Sequence, residues 1–140
     1  MTVEPSEYAV ELQFKVQTYD IDFAGIVSNQ VYIRWLEDLR LELLDAFAPL
    51  DQQLSDGLVP VLLSTEISYK RALRLFDRPR GRIWMVDVGR VRWTLQAVIS
   101  NEGAVAATAR HVCAFLDSTT LRPRPVPRAF RERFERMNGA

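Results

Sequence analysis

Apolar residues recur along this chain with two different periods, and the change of period marks the elements. From Tyr8 to Thr18 the residues Val10, Leu12, Phe14, Val16 and Thr18 alternate with Glu11, Gln13, Lys15 and Gln17, the two-residue period of a strand with one buried face. From Val31 the period lengthens. Val31, Tyr32, Trp35, Leu36, Leu39, Leu43, Ala46 and Phe47 fall three or four apart, which predicts an amphipathic helix of about 18 residues, about 27 Å long. Arg34, Glu37, Asp38, Glu42 and Asp45 fall mostly on its other face, and Ser28 or Asn29 can cap its start.

Alternation returns in 58–70, with Val59, Val61, Leu63, Thr65, Ile67 and Tyr69 on one face and Glu66 opposite. The segments 83–88 and 91–99 read as two further strands, and 104–116 as a last strand rich in small residues. Ser100-Asn101-Glu102-Gly103 is a hairpin turn, because Asn and Gly tolerate positive φ. Pro49 and the polar stretch 51–57 make a connection after the helix, while Pro123, Pro125 and Pro127 end regular structure before a short terminal helix in 128–137. One strand, a long helix and then four strands define an α+β chain, since the repeated crossovers of a doubly wound parallel sheet are missing. An antiparallel five-stranded sheet wrapped around one long central helix satisfies this order.

At 140 residues, 48% apolar and 26% charged, the chain fits one domain spanning 1–140, with 121–140 as a Pro-rich tail carrying the short helix. Eighteen cations balance 18 anions, so no net field recruits nucleic acid or an anionic membrane. The cations are almost all arginine, and 71–92 holds seven (Arg71, Arg74, Arg78, Arg80, Arg82, Arg90, Arg92) against Asp77 and Asp87. This local excess could hold phosphates, although the turn around Asp77 would be solvated in any case. The single Cys113 excludes an internal disulfide framework and suits a reducing compartment. His111 shares its strand face, but small apolar neighbours and the lack of a third orienting group argue against a catalytic dyad. One histidine and one cysteine form no metal-ligand cluster. The acidic start MTVEPSEYAVE lacks the apolar core of a signal peptide, and no run approaches the ~20 apolar residues of a membrane span. A cytoplasmic location is the expectation.

The chemistry concentrates between Tyr19 and Phe47. Asp20 and Asp22 lie one residue apart, and Gly25 permits a turn that side chains resist. The helix start that follows carries unpartnered N–H groups and about half a positive charge, a setting that binds an oxyanion. A carboxylate just upstream is then a candidate nucleophile or general base. The plainer alternative is that the aspartates make Asx turns and the next polar residues only cap the helix.

The segment Asp20 to Glu37, DIDFAGIVSNQVYIRWLE, resembles the D-x-D-x-x-G-x-V motif and following helix of the 4-hydroxybenzoyl-CoA thioesterase family. These are hotdog-fold enzymes that hydrolyse acyl-CoA thioesters, and the resemblance runs in outline along nearly the whole chain. It implies that Asp22 is the catalytic residue, that Gly25 is the turn glycine, and that a backbone N–H at Asn29 or an immediate neighbour binds the thioester carbonyl. Many members carry a histidine near the position of Asn29; this chain reads Ser28-Asn29. Gly25, Ile26, Val27 and Tyr32 are candidates for the acyl pocket, with Tyr32 and Val31 equally readable as core. Arg71, Arg74 and Arg78 are candidates for the phosphates of coenzyme A, which enters as part of the substrate; no separate cofactor or metal is implied. The resemblance further implies a homodimer or homotetramer formed by joining sheet edges, with sites between subunits. Three alternatives stand beside this reading: an acyl group carried on acyl carrier protein, a non-enzymatic acyl-CoA-binding module, or Glu66 or Glu37 as the acid/base.

Overall fold

The computed structural model describes residues 8–137. In chain order it contains β1 (Val10–Gln13), a 3₁₀ turn (Thr18–Asp20), α1 (Asn29–Phe47), α2 (Leu50–Ser55), β2 (Leu58–Tyr69), β3 (Arg80–Val88), β4 (Arg92–Asn101), β5 (Ala104–Asp117), β6 (Pro123–Arg124) and α3 (Arg128–Met137). The strands form one antiparallel sheet in the order β1-β3-β4-β5-β2, and β6 pairs with β5. The sheet wraps around α1, the arrangement implied by the hotdog resemblance.

The helix is where the 3.6-residue period placed it, over 19 residues. Val31, Tyr32, Trp35, Leu36, Leu39, Leu43, Leu44 and Phe47 are its buried face, while Arg34, Glu37, Asp38, Glu42 and Asp45 face solvent. Opposite lie Ile83, Met85, Leu95, Ala97, Ile99, Ala107 and Ala109, all in the same core. Fully burying one such aliphatic side chain is worth roughly 1.5–3 kcal/mol, so this single contact surface dominates the stability. On β3 a Cβ at Gly81 would stand 2.6 Å from Leu39 Cδ1 of the helix and 2.8 Å from Phe14 Cε2. At the far end of α1, Phe130 of α3 packs on Phe47, Trp93 and Phe115 with ring centroids 5.2–5.3 Å apart.

Four details depart from the sequence reading. The β1 ladder is shorter than the alternation 8–18, because 14–17 stays extended without a continuous partner; Phe14 and Val16 still bury alternately, since the core sets that period. The polar connection 51–57 contains α2, in which Gln53 is buried and donates to the Ala48 carbonyl. A two-residue strand, β6, forms among the prolines that were expected to end regular structure, as Pro123 and Arg124 lie against Leu116 and Phe115. In the β4–β5 hairpin Asn101 remains in the ladder, and Glu102 (φ 51°) and Gly103 (φ 80°) take the left-handed positions.

A larger departure concerns β2. Its register against β5 slips between Leu62 and Ser64, and one extra residue in a strand reverses which face every later side chain occupies. Leu62 pairs with Cys113, and beyond the bulge Thr65 pairs with His111 and Ile67 with Ala109. The face toward α1 is therefore Leu58, Pro60, Leu62, Thr65, Ile67 and Tyr69. Val59, Val61 and Leu63, assigned to that face by simple alternation, lie on the other. β2 is also an edge strand, with Leu62, Leu63 and Tyr69 exposed.

Because a Cβ at Gly81 would overlap Leu39 and Phe14, Gly81→Val is expected to destabilise the fold by about 1–3 kcal/mol through overpacking. Urea unfolding of the variant beside the wild type measures this, and an unchanged midpoint would contradict the packing.

Candidate active site

The chain between the 3₁₀ turn and α1 folds back on itself as a miniature hairpin. The Ser28 amide donates to the Asp20 carbonyl at 2.9 Å, Ile21 and Val27 form an isolated antiparallel bridge, and the Asp22 amide donates to the Ile26 carbonyl at 2.9 Å. Gly25 closes the turn at φ +78°, with its amide on the Asp22 carbonyl at 3.0 Å. An added Cβ there would meet nothing within 4 Å, so glycine is required for its backbone angle and not for space. The Val27 amide donates to the Leu73 carbonyl at 2.8 Å and so ties the hairpin to the β2–β3 loop.

The two aspartates have different surroundings. Asp22 is half-buried; its Oδ1 accepts the Ala24 amide at 2.8 Å, an Asx turn. Its second oxygen has no hydrogen-bond partner among the described residues. Asp20 is 4% exposed, and its Oδ2 accepts the Gln17 amide at 2.8 Å while Oδ1 faces Arg34 Nη2 at 3.2 Å. At the helix start Ser28 is the cap, its Oγ accepting the Gln30 amide at a long 3.4 Å and its carbonyl the Val31 amide at 3.0 Å. Asn29 is exposed, and its amide has no hydrogen-bond partner among the described residues. One loop thus presents a carboxylate with a free oxygen and a helix N-terminus with a free donor.

Of the other residues singled out, Gly25 is exposed and Ile26 half-buried, whereas Val27 and Tyr32 are each 2% exposed. Tyr32 stands edge-on to Trp35 and Tyr69, and burial, reinforced by Tyr69, raises its pKa. Arg71, Arg74 and Arg78 are exposed in the β2–β3 loop, which the Val27–Leu73 bond holds beside the hairpin, and none makes an ion pair among the described residues. Arg80 and Arg82, by contrast, are engaged with Glu11 at 3.0 and 3.6 Å. Glu66 pairs across the ladder with Arg110, on the face turned away from α1. Phe23, beside Asp22, and Phe76, at φ 78° in the arginine loop, are exposed aromatics to which sequence periodicity gave no role.

The sequence also gave no sign of a cavity of about 290 Å³ between α1 and β2, lined by Ile33, Leu36, Glu37, Arg40, Leu62, Thr65 and His111. Glu37 forms an ion pair with Arg40 there, and His111 Nδ1 lies 2.9 Å from Thr65 Oγ1. Burial, with help from the Arg40 charge, lowers the His111 pKa to about 4, and burial pushes the Cys113 thiol up to about 11. A neutral histidine beside a protonated thiol is no nucleophilic dyad. Among the described residues no group of three or more His, Cys, Asp or Glu could hold a metal ion, and no helix is long and apolar enough to cross a membrane.

Residues 16–134 match the model of the thioesterase-like superfamily. The chain belongs to that superfamily, which places it among the thioester hydrolases. It is 30% identical over 113 residues to a candidate esterase of Synechocystis, a match covering 76% of this chain and 66% of that protein. A thioesterase of Thermus thermophilus, solved in complex with coenzyme A and Zn, superposes with a TM-score of 0.83 at 26% identity, covering 99% of this chain and 98% of that one. A DHNA-CoA thioesterase of Staphylococcus aureus shares the fold with a TM-score of 0.84 at 17% identity, over 91% of this chain and 89% of its own.

The buried histidine sets an acid limit. Between the ordinary pKa of 6.5 and the folded value of about 4, the unfolded chain binds a proton that the folded chain refuses. Stability should therefore fall as pH drops through this window, by up to about 3 kcal/mol from this group, and change no further from it below pH 4. Urea midpoints from pH 7 to 4 should show this slope, and His111→Gln should flatten it.

Proposed function

We propose that this chain hydrolyses an acyl-CoA thioester to the free acid and coenzyme A. The observation that carries the reading is that one loop carries both Asp22, one oxygen fixed by the Ala24 amide and the other without a partner among the described residues, and the Asn29 amide, likewise without one, at the start of a 19-residue helix. The thioester carbonyl oxygen accepts from the Asn29 amide, and the helix-start charge favours the oxyanion as the tetrahedral intermediate forms. Asp22 either removes a proton from an attacking water or attacks the carbonyl itself. The intermediate then collapses, the C–S bond breaks, and the departing thiolate of coenzyme A takes up a proton; where Asp22 is the nucleophile, a water then hydrolyses the mixed anhydride to the free acid and restores the carboxylate.

Arg71, Arg74 and Arg78, exposed and with no side-chain ion pair among the described residues, would hold the phosphates of coenzyme A. The binding of coenzyme A by the T. thermophilus structure supports this carrier. Gly25 and Ile26 border the entry; Val27 and Tyr32, being core residues, would act as the wall behind it. The exposed β2 edge with Leu62 and Leu63 fits pairing with a second copy into a dimer, two of which would form a tetramer, with the site completed across the interface. We place the reaction in the cytoplasm.

The test is thiol release from a panel of short, long and aromatic acyl-CoAs. Asp22→Asn, folded and of unchanged oligomeric state, should lose at least ~10²-fold in kcat/KM, a transition-state loss near 2.7 kcal/mol. Single turnover in ¹⁸O-water with a parallel hydroxylamine trap then assigns the role: label or a hydroxamate at Asp22 marks a nucleophile, and neither marks a general base. If the wild type cleaves no acyl-CoA but releases acyl groups from acyl carrier protein, that carrier replaces coenzyme A. If Asp22→Asn is fully active, the assignment fails.

Replacing Arg71, Arg74 and Arg78 together by glutamine should raise KM for acyl-CoA about tenfold or more with little change in kcat, and weaken its dependence on ionic strength. An unaltered KM would show that the loop takes no part in binding.

A further inference from the structure

Asp20 has no place in the reaction just described, yet it is the most costly residue of the loop. A carboxylate only 4% exposed gives up hydration worth several kcal/mol. What it receives is modest: one backbone amide at 2.8 Å and one Arg34 nitrogen at 3.2 Å. The Arg34 side chain is 62% exposed, and ion pairs reaching into solvent contribute about 0–1 kcal/mol. Net stabilisation does not account for the pair, so its geometry is the more informative property.

Three pieces of chain meet at Asp20. Its Oδ2 holds the Gln17 amide at the entry to the 3₁₀ turn, its Oδ1 faces Arg34 in the second turn of α1, and its carbonyl accepts the Ser28 amide at the helix cap. The Asp20–Ser28 rung is followed by the Ile21–Val27 bridge and the Asp22–Ile26 rung. Asp22 therefore projects from one arm of a three-rung ladder, and Asn29 continues the other. A shift of Asp20 relative to α1 moves the carboxylate of Asp22 relative to the Asn29 donor.

We propose that Asp20 and Arg34 are positioning residues: their pair fixes the miniature hairpin to α1 and so sets the spacing between Asp22 and the helix-start amide. This rests on the thioesterase reading above. Misplacement of reacting groups by about 1 Å costs on the order of 10²-fold in rate, while substrate binding, which uses other contacts, should be spared.

Asp20→Asn keeps the shape and an acceptor for Gln17 but removes the charge that faces Arg34. With the acyl-CoA that the wild type cleaves best, it should lower kcat about 10–100-fold and leave KM within about twofold. Arg34→Gln should act in the same direction more weakly, and Arg34→Lys should recover most of that loss. The double variant Asp20→Asn/Arg34→Gln should be no worse than Asp20→Asn alone, since both remove one interaction. Hydrogen exchange gives a readout independent of turnover: the Ser28 and Asp22 amides should exchange at least about tenfold faster in Asp20→Asn, while amides in the middle of α1 keep their protection. A loss confined to KM, multiplicative single effects, unchanged exchange at Ser28, or exchange accelerated throughout α1 would each overturn the proposal. If the wild type cleaves no thioester, the functional reading falls and the exchange data alone decide whether the pair holds the hairpin. Should Asp20→Asn fail to fold, the exposed Arg34 variants carry the same comparison.

Discussion

A helix can be enclosed by a single sheet only if the sheet allows close approach at its deepest point and supplies volume elsewhere. Here the approach is made at Gly81, with Ala97, Ala107 and Ala109 on the facing strands, while Ile83, Met85, Leu95 and Ile99 fill the space beside them. Leu39 and Leu43 lose all their exposure in this embrace. Their burial outweighs every polar contact of the site, where single hydrogen bonds contribute about 1 kcal/mol. The position of α1 is thus set by packing, and the loop before it must adapt.

That order of strengths explains the local geometry. With α1 fixed in the sheet, its first turn emerges at one place, and the chain arriving from the 3₁₀ turn must reverse direction to meet it. The reversal is made by Gly25 at positive φ and by the short ladder from Asp20–Ser28 to Asp22–Ile26. The Leu73 carbonyl, reaching across from the β2–β3 loop, holds the hairpin from the other side. The same bond holds the loop that carries Arg71, Arg74 and Arg78 against the hairpin.

Sequence periodicity located α1 almost to the residue because its apolar stripe faces one continuous surface. The Asp22 motif was legible for a related reason: its residues are local, and a turn, a cap and a helix are written within ten positions. What the sequence did not disclose has several physical causes. The bulge in β2 adds a residue without changing the apolar pattern, so alternation continued on paper while the real faces exchanged after Leu62. The contacts between Asp20 and Arg34, and between Thr65 and His111, join positions 14 and 46 apart, and nothing in one chain's pattern pairs such residues. Helix α2 was missed because its six residues are too few to show a period, and β6 because proline, which has no N–H to donate to a ladder, can still pair at an edge through its carbonyl.

The bulge also affects the cavity beneath α1. Without it, alternation continued from Leu58, Pro60 and Leu62 would turn Ser64 and Glu66 toward the helix and Thr65 away from His111. The slip sets Thr65 opposite His111, where its hydroxyl partners the imidazole at 2.9 Å. An imidazole so placed can remain neutral in an apolar setting, because one of its nitrogens is satisfied without a charge. The neighbouring Arg40 disfavours a second cation and keeps it so. The wall of the cavity is therefore uncharged on the strand side and ionic only where Glu37 meets Arg40 on the helix. A strand irregularity that periodicity cannot register thus decides the chemical character of the space beside the central helix.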